Sequence, residues 1–392
     1  MSKLEKLIQQ YCPDGVEWIK IKDIAQVGTG SSNGNEADED GKYPFFVRSQ
    51  IVKSKNDFEY DEEAIIIPGE GGIGDIFHYI NGKYALHQRV YRIHFTTQQI
   101  NVKFAFYYMK SAFKRFIMTK AVSATVTSIR KPMIEDFEIP VPPLPVQEEI
   151  VRVLDAFTEL QAELQAELQK RKQQYNYYRD NLLTNFTPEQ APKEYTLGEV
   201  TVDIYSGATP SKEKREYWVN GTIPWMSSGE VNLGQVYEVE GRITQLGYDK
   251  CSTKMVPEGS VVIALAGQGK TRGTVAILRT SVCTNQSLAA LVPQKEIVSG
   301  EYLYYYLKTQ YAKLREVSAG DGTRGGLNLK MLRAYKVVIP SHTAQDQIVS
   351  ILDRFDTLTN DLTSGLPAEM EKRRQQYEYY RDKLLTFKRK GA

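Results

Sequence analysis

Cysteine is scarce in this chain: Cys12, Cys251 and Cys283 are the three among 392 residues, and no two stand at metal-ligand spacing. That excludes a disulfide framework and a cysteine-rich zinc module. Histidine is as sparse, with His78, His87, His94 and His342, none paired at the helical spacing of a metal site. No apolar run approaches the ~18–20 residues that cross a bilayer, and the opening MSKLEKLIQQYCPDG lacks the apolar centre of a secretory signal. A reducing cytoplasm without membrane attachment is the expectation. Charge of one sign is also missing: the net charge is +2, which sets aside a surface coated with cations for indiscriminate nucleic-acid binding. Binding by local loops stays open.

What the chain does have is repetition. KRKQQYNYYRDNLLT, Lys170 to Thr184, returns as KRRQQYEYYRDKLLT, Lys372 to Thr386, with twelve of fifteen positions identical. Upstream the register is 198 residues. It sets Pro142, Gln147, Ile150, Leu154, Asp155 and Phe157 opposite Pro340, Gln345, Ile348, Leu352, Asp353 and Phe355. The same offset aligns Phe104–Lys110 with Tyr302–Lys308, His87-Gln88 with Asn285-Gln286, and the glycine loop at Gly69 with that at Gly267. The chain is a tandem duplication, and a length of 392 residues accommodates two domains.

Each half reads as a strand-rich module followed by a long helix. Short apolar stretches such as Ala64–Ile67, Ser260–Ala264 and Thr274–Leu278 are bounded by Gly, Asn and Asp, as strands are. One helix is predicted inside each module, about Val102 to Lys120 and about Gly300 to Val317. In the first long helix Leu154, Phe157, Leu160, Leu164, Tyr175, Tyr178 and Leu182 recur in steps near 3.6 residues, around a small repeat TELQ-AELQ-AELQ. In the second, Leu352, Phe355, Tyr377, Tyr380 and Leu384 do the same, with one added step of four near Ser364-Gly-Leu-Pro367, where Gly and Pro should kink or restart the helix. Two apolar stripes of this kind most simply bury each other as an antiparallel pair. The fold class expected is α+β, with two similar modules and a two-helix spacer related by approximate twofold symmetry. The partition is 1–143 for the first module, 144–186 for the first helix, 187–341 for the second module including a linker at 187–194, and 342–388 for the second helix.

Three motifs invite an enzymatic reading. Ala264-Leu-Ala-Gly-Gln-Gly-Lys-Thr271 fits a loose phosphate loop, and Gly69-Glu-Gly-Gly-Ile-Gly74 fits a dinucleotide fingerprint. Both patterns must open into a helix whose N-terminus faces the phosphates, whereas here both lead into strand-like or irregular residues. One duplicated loop serves two cofactors poorly, and a tight turn between strands explains both. The nuclease-like pairing of Pro13-Asp14 with Asp40-Gly-Lys42 falls in an acidic loop that reads as a solvated turn. No adenine-methyltransferase motif of the D-P-P-Y type is present. The chain is expected to be non-catalytic and to hold no cofactor or metal.

Taken over its whole length, the chain resembles the specificity subunit of type I restriction–modification systems. The resemblance rests on two modules, two similar helices, the four-residue repeat and the paired Q-Q-Y-x-Y-Y-R-D-x-L-L signatures. It implies that each module is a target recognition domain for one half of a split sequence in double-stranded DNA. It further implies two DNA adenine methyltransferase subunits docked at the helices, with restriction (translocase) subunits joining through them. AdoMet and ATP would belong to those partners. The alternatives are a duplicated DNA-binding scaffold or regulator without a modification partner, and a nucleotide-hydrolysing enzyme built on Gly269-Lys270-Thr271.

For base reading, polar loop residues are the candidates: Arg48, Ser49, Arg89, Thr125, Ser128 and Arg130 in the first half, with Ser227, Ser228, Gln268, Lys270, Thr271, Arg272, Thr323 and Arg324 in the second. Bidentate Arg or Gln contacts supply discrimination, while Lys and Arg on phosphates supply affinity. Each is also explicable as a solvated loop residue or an internal donor. Gln88 and Gln286, at equivalent positions, read as structural. For partner docking, Tyr177, Arg179 and Asp180 with Tyr379, Arg381 and Asp382 lie off the seam in both copies; a surface network of i,i+3 and i,i+4 pairs is the competing account.

Overall fold

The computed structural model describes residues 3–120, 128–267, 271–318, 326–360 and 364–391. It divides into two compact units, Met1–Gln165 with Glu369–Ala392, and Ala166–Ala368. The division passes through both long-helix regions, so each unit contains a module and portions of both.

In the first unit a six-stranded sheet runs in the order β2-β7-β5-β6-β3-β4. Its strands are β2 (Ala25–Thr29), β3 (Tyr43–Phe46), β4 (Lys53–Lys55), β5 (Tyr60–Pro68), β6 (His78–Leu86) and β7 (Val90–Phe95). A separate ribbon pairs β1 (Glu17–Lys20) with β8 (Glu138–Val141). The second unit builds the same plan. β9 (Lys193–Thr196) pairs with β19 (Lys336–Ile339), and a five-stranded sheet runs β10-β18-β15-β16-β12. These are β10 (Thr201–Ser206), β12 (Gln235–Val236), β15 (Val261–Ala264), β16 (Val275–Leu278) and β18 (Leu288–Pro293). β11 (Ile223–Met226), β13 (Arg242–Ile243), β14 (Met255–Val256) and β17 (Val282–Thr284) form a further sheet, ordered β13-β11-β17-β14.

The duplication is kept down to register. β3 pairs in parallel with β6 through Phe45↔Ala85 and Phe46↔Leu86, and β11 pairs in parallel with β17 through Trp225↔Cys283 and Met226↔Thr284. Central strands are buried on both faces, which is why they read as unbroken β-branched runs. Ile65 and Ile67 face the core with Phe104 and Phe113 of the helix Val102–Lys120, while Ala64 and Ile66 face Phe46, Tyr84 and Leu86. Val261 and Ile263 meet Tyr302 and Leu303 in the same way, with Val262 and Ala264 on the opposite side. Burying one such aliphatic side chain contributes roughly 1.5–3 kcal/mol.

The glycine loop at Gly69 lies between the antiparallel strands β5 and β6; that at Gly267, whose residues 268–270 lie outside the described residues, falls between the antiparallel strands β15 and β16. The helix required by a phosphate loop or dinucleotide fingerprint follows neither. The predicted helix at 300–317 is instead two, Gly300–Thr309 and Tyr311–Val317. Gln310 leaves helical geometry at φ −86° and ψ 6°, and its side chain is occupied by Thr309 and by the Tyr335 hydroxyl.

The first long helix is continuous from Leu144 to Thr184, 41 residues or about 60 Å. The second occurs as His342–Asn360 and Leu366–Leu384, with Pro367 in the first turn of the latter, where its missing N–H costs nothing. In the first unit Phe157 packs on Tyr377 and stacks on Tyr380. In the second, Phe355 lies on Tyr175 and stacks on Tyr178.

A buried glutamine ties module to helix in each copy. The Gln147 amide donates to the carbonyls of Gln99 and Pro142, and its oxygen accepts from the Asn101 N–H at 2.8 Å. Gln345 does the same with Ile297, Pro340 and Ser299, each 198 residues on. A second tie is Tyr107 donating to Asp155 at 2.7 Å, matched by Tyr305 to Asp353 at 2.6 Å.

Candidate nucleic-acid interface

Arg48, Ser49 and Arg89 come together at one rim of the first sheet. The His87 N–H donates to the Phe46 carbonyl, which sets the end of β3 beside the turn after β6. His87 is buried, and that burial, with Arg48 and Arg89 nearby, lowers its pKa. The ring is therefore neutral at pH 7, and its Nδ1 accepts from the Arg89 N–H at 3.0 Å. The Arg89 carbonyl in turn accepts from Gly69 N–H, and Gly69 O accepts from Ile129 N–H, so Ser128 and Arg130 flank the same turn. Arg130 is exposed. Ser49 Oγ donates to the Ile51 carbonyl within the next loop.

At the centre of this rim stands Glu70, absent from the sequence-based candidates. Arg48 Nη1 lies 2.9 Å from its Oε2, and Arg89 Nη1 lies 3.0 Å from the same oxygen. Hydrogen bonds from Arg89 and then Arg48 hold the Glu70 carboxyl below the usual carboxylate range. The signal available in sequence was only an acid inside a glycine turn, which solvated turns also show.

The equivalent rim of the second module is built on the bond from Asn285 N–H to the Met226 carbonyl. Ser227 and Ser228 sit there, but the Ser227 hydroxyl and N–H are both spent on Glu230 as a helix cap. Arg272 is half-buried, and its carbonyl accepts from Arg315. Thr271 is half-buried in the turn leading to β16. Thr125, Gln268, Lys270, Thr323 and Arg324 lie outside the described residues. Gln88 and Gln286 each hold a loop of their own module, bonding Asn33 and Thr209.

The repeated helix signature sorts into two faces. Tyr175 is buried in the second unit with Leu183, and Tyr377 packs against the core of the first unit that includes Leu385. Leu183 and Leu385 are 1% and 5% exposed, deeper than the seam residues Leu182 and Leu384 beside them. Leu154 and Leu352 are fully buried, whereas Leu160 and Leu164 are half-buried. Arg179 lies over the Tyr175 ring and bonds Asp180, and Arg381 lies over Tyr377 and bonds Asp382. Each signature also meets a module lysine. Burial and then Arg381 lower the pKa of Lys110; burial and Arg179 lower that of Lys308, opposed by Asp356. Tyr177 and Tyr379 point outward, 67% and 63% exposed.

Among the described residues no group of His, Cys, Asp and Glu could hold a metal ion, and no helix is long and apolar enough to cross a membrane. The geometry is that of a duplicated binding protein: two sheet modules with polar rims, joined to helices that carry one signature twice. Sequence comparison makes the class specific. The profile of the type I restriction modification DNA specificity domain matches residues 13–171 and again 191–372, and the chain belongs to that family. It is 40% identical over 246 residues to the EcoR124I/EcoR124II type I restriction enzyme specificity subunit of Escherichia coli, covering 62% of this chain and 60% of that one. A putative type I restriction enzyme specificity subunit of Haemophilus influenzae is 28% identical, with 98% of each chain aligned. The S subunit of a type I restriction–modification system from M. genitalium shares the fold, with a TM-score of 0.61 at 18% identity over 95% of this chain and 96% of that one.

Proposed function

We propose that this chain is the DNA-reading subunit of a type I restriction–modification complex and that it reads a bipartite target, one half-site per module. DNA and the methyltransferase and restriction subunits of such a system are its partners; the chain itself catalyses nothing. The observation that carries the reading is the duplication at the level of register: two modules with the same strand pairing, the same buried glutamine and the same helix signature. A protein that presents one architecture twice suits a target with two halves and a partner present twice. Two adenine methyltransferase subunits, one per signature, follow from that count. Mapping adenine methylation genome-wide in the host with and without the gene tests it. Loss of one split motif with a fixed gap upon deletion supports the reading. An unchanged map, even with the methyltransferase co-expressed, favours a DNA-binding scaffold instead.

Tyr177 and Tyr379 are the most exposed aromatic residues of the signature, and aromatic side chains of this kind anchor interfaces. Tyr177→Ala or Tyr379→Ala should each leave the melting temperature of the isolated chain unchanged. Each should weaken methyltransferase binding by roughly 2 kcal/mol at one of two sites, about 30-fold in Kd. Calorimetric titration should then resolve one tight and one weakened site, and the double variant two weakened sites. Two tight sites in the double variant would place docking elsewhere.

A further inference from the structure

The Arg48–Glu70–Arg89 cluster has a geometry that its stability cannot account for. Exposed ion pairs contribute about 0–1 kcal/mol, and here all three side chains are between 35% and 57% exposed. Its value lies in what it leaves available. Arg48 meets Glu70 through Nη1, at 2.9 Å, and Arg89 also meets it through Nη1 alone, at 3.2 and 3.0 Å from the two carboxylate oxygens. The Nε–Nη2 edge of each guanidinium makes no hydrogen bond to the described residues. That edge is a planar two-donor fork, the shape that matches O6 and N7 of guanine in the major groove.

The forks are also held from behind. The backbone of Arg89 is fixed by His87 Nδ1 on one side and by Gly69 N–H on the other. The turn that presents Glu70 passes so close to Arg48 that a Cβ on Gly71 would lie 3.2 Å from the Arg48 carbonyl oxygen, and Gly71 has φ +75°. Among the described residues the second module shows no such pair: Ser228 and Ser287 stand where Arg48 and Arg89 stand in the first.

We propose that Arg48 and Arg89 each read a guanine in the half-site of the first module, and that Glu70 is a positioning residue that keeps both forks aimed. The assignment rests on the reading of that module as a half-site reader. It gives the first half-site two arginine-read guanines that the equivalent positions of the second module, Ser228 and Ser287, do not supply.

The test uses the full chain assembled with its methyltransferase, and measures methylation rates on duplexes carrying the mapped motif and every single-base variant of it. Arg48→Gln and Arg89→Gln should each relax discrimination at one guanine by about 5- to 150-fold, the equivalent of 1–3 kcal/mol for one bidentate contact. Both positions should lie in the same half, and the other half should be read as before. Glu70→Gln should relax both guanines together at unchanged melting temperature, and Glu70→Asp should restore part of the loss. A motif without guanine in either half overturns the proposal. So does an equal loss of affinity for all sequences with a shallower salt dependence, which marks phosphate contacts. If no split motif is methylated at all, the broader reading fails and this one falls with it.

Discussion

Inserting one further Ala-Glu-Leu-Gln between Gln165 and Ala166 should erase the methylated motif of the parent protein and replace it with another. The two half-sites should be the same and the gap between them longer. The insertion point lies inside the tetrapeptide repeat of the first long helix, where the sequence around it already reads AELQ. Four residues add about 6 Å to a helix and turn its far end by about 40° beyond one full revolution. Two base-pair steps advance about 6.8 Å, so the expected gain is two base pairs, with the residual rotation lowering the methylation rate. The seam should survive, because a step of four is one of its native steps. Eighteen residues separate Phe157 from Tyr175, against twenty-two between Phe355 and Tyr377, so the insert makes the two intervals equal. Mapping adenine methylation in a host carrying only the insertion variant decides it. Persistence of the old motif would mean that the repeat does not set the gap. A change in either half-site would mean that the helix shapes the modules rather than their target's spacing.

The fold was legible in the sequence because duplication supplies a second reading of every ambiguous stretch. A glycine loop that mimics a phosphate site in one copy and a dinucleotide site in the other is reduced to a turn when the two are aligned. The site was less legible. Arg48 and Arg89 were visible as loop cations, but Glu70, which brings them together, was lost in a glycine turn that any solvated hairpin could carry. The stripe places Leu182, four residues on from Tyr178, on the seam. In the structure Leu183 is the more deeply buried of the two, and both pack with Val337 in the module core. Periodicity shows that a stripe is buried but does not name the surface that buries it. Tyr177 and Tyr379 could be set apart from Tyr178 and Tyr380 only on the assumption of a straight seam.

Replacing Gln147 by leucine should destabilise the first unit by roughly 2–4 kcal/mol, and Gln345→Leu should do the same to the second. Leucine fills nearly the same volume, so the loss is polar. Both glutamines are fully buried, and each satisfies two carbonyls and one N–H that lie on separate parts of the chain. With leucine present, the Pro142 and Pro340 carbonyls lose their partner within the buried interior, and such groups cost about 1–3 kcal/mol each when left unpaired. Hydrogen exchange reports the effect residue by residue. The Asn101 amide should lose protection in Gln147→Leu while Ser299 keeps it, and the reverse should hold for Gln345→Leu. A loss below about 1 kcal/mol with both amides still protected would show that the glutamine only fills space. The matched pair of outcomes bears on function as well. Each glutamine joins the loop that begins its module's helix to the first turn of a long helix, so it fixes the angle between module and helix. On the proposed reading of a split target, a gap can be measured only if that angle is rigid at both ends. Variants that loosen one glutamine should therefore blur the preferred gap before they blur the half-sites.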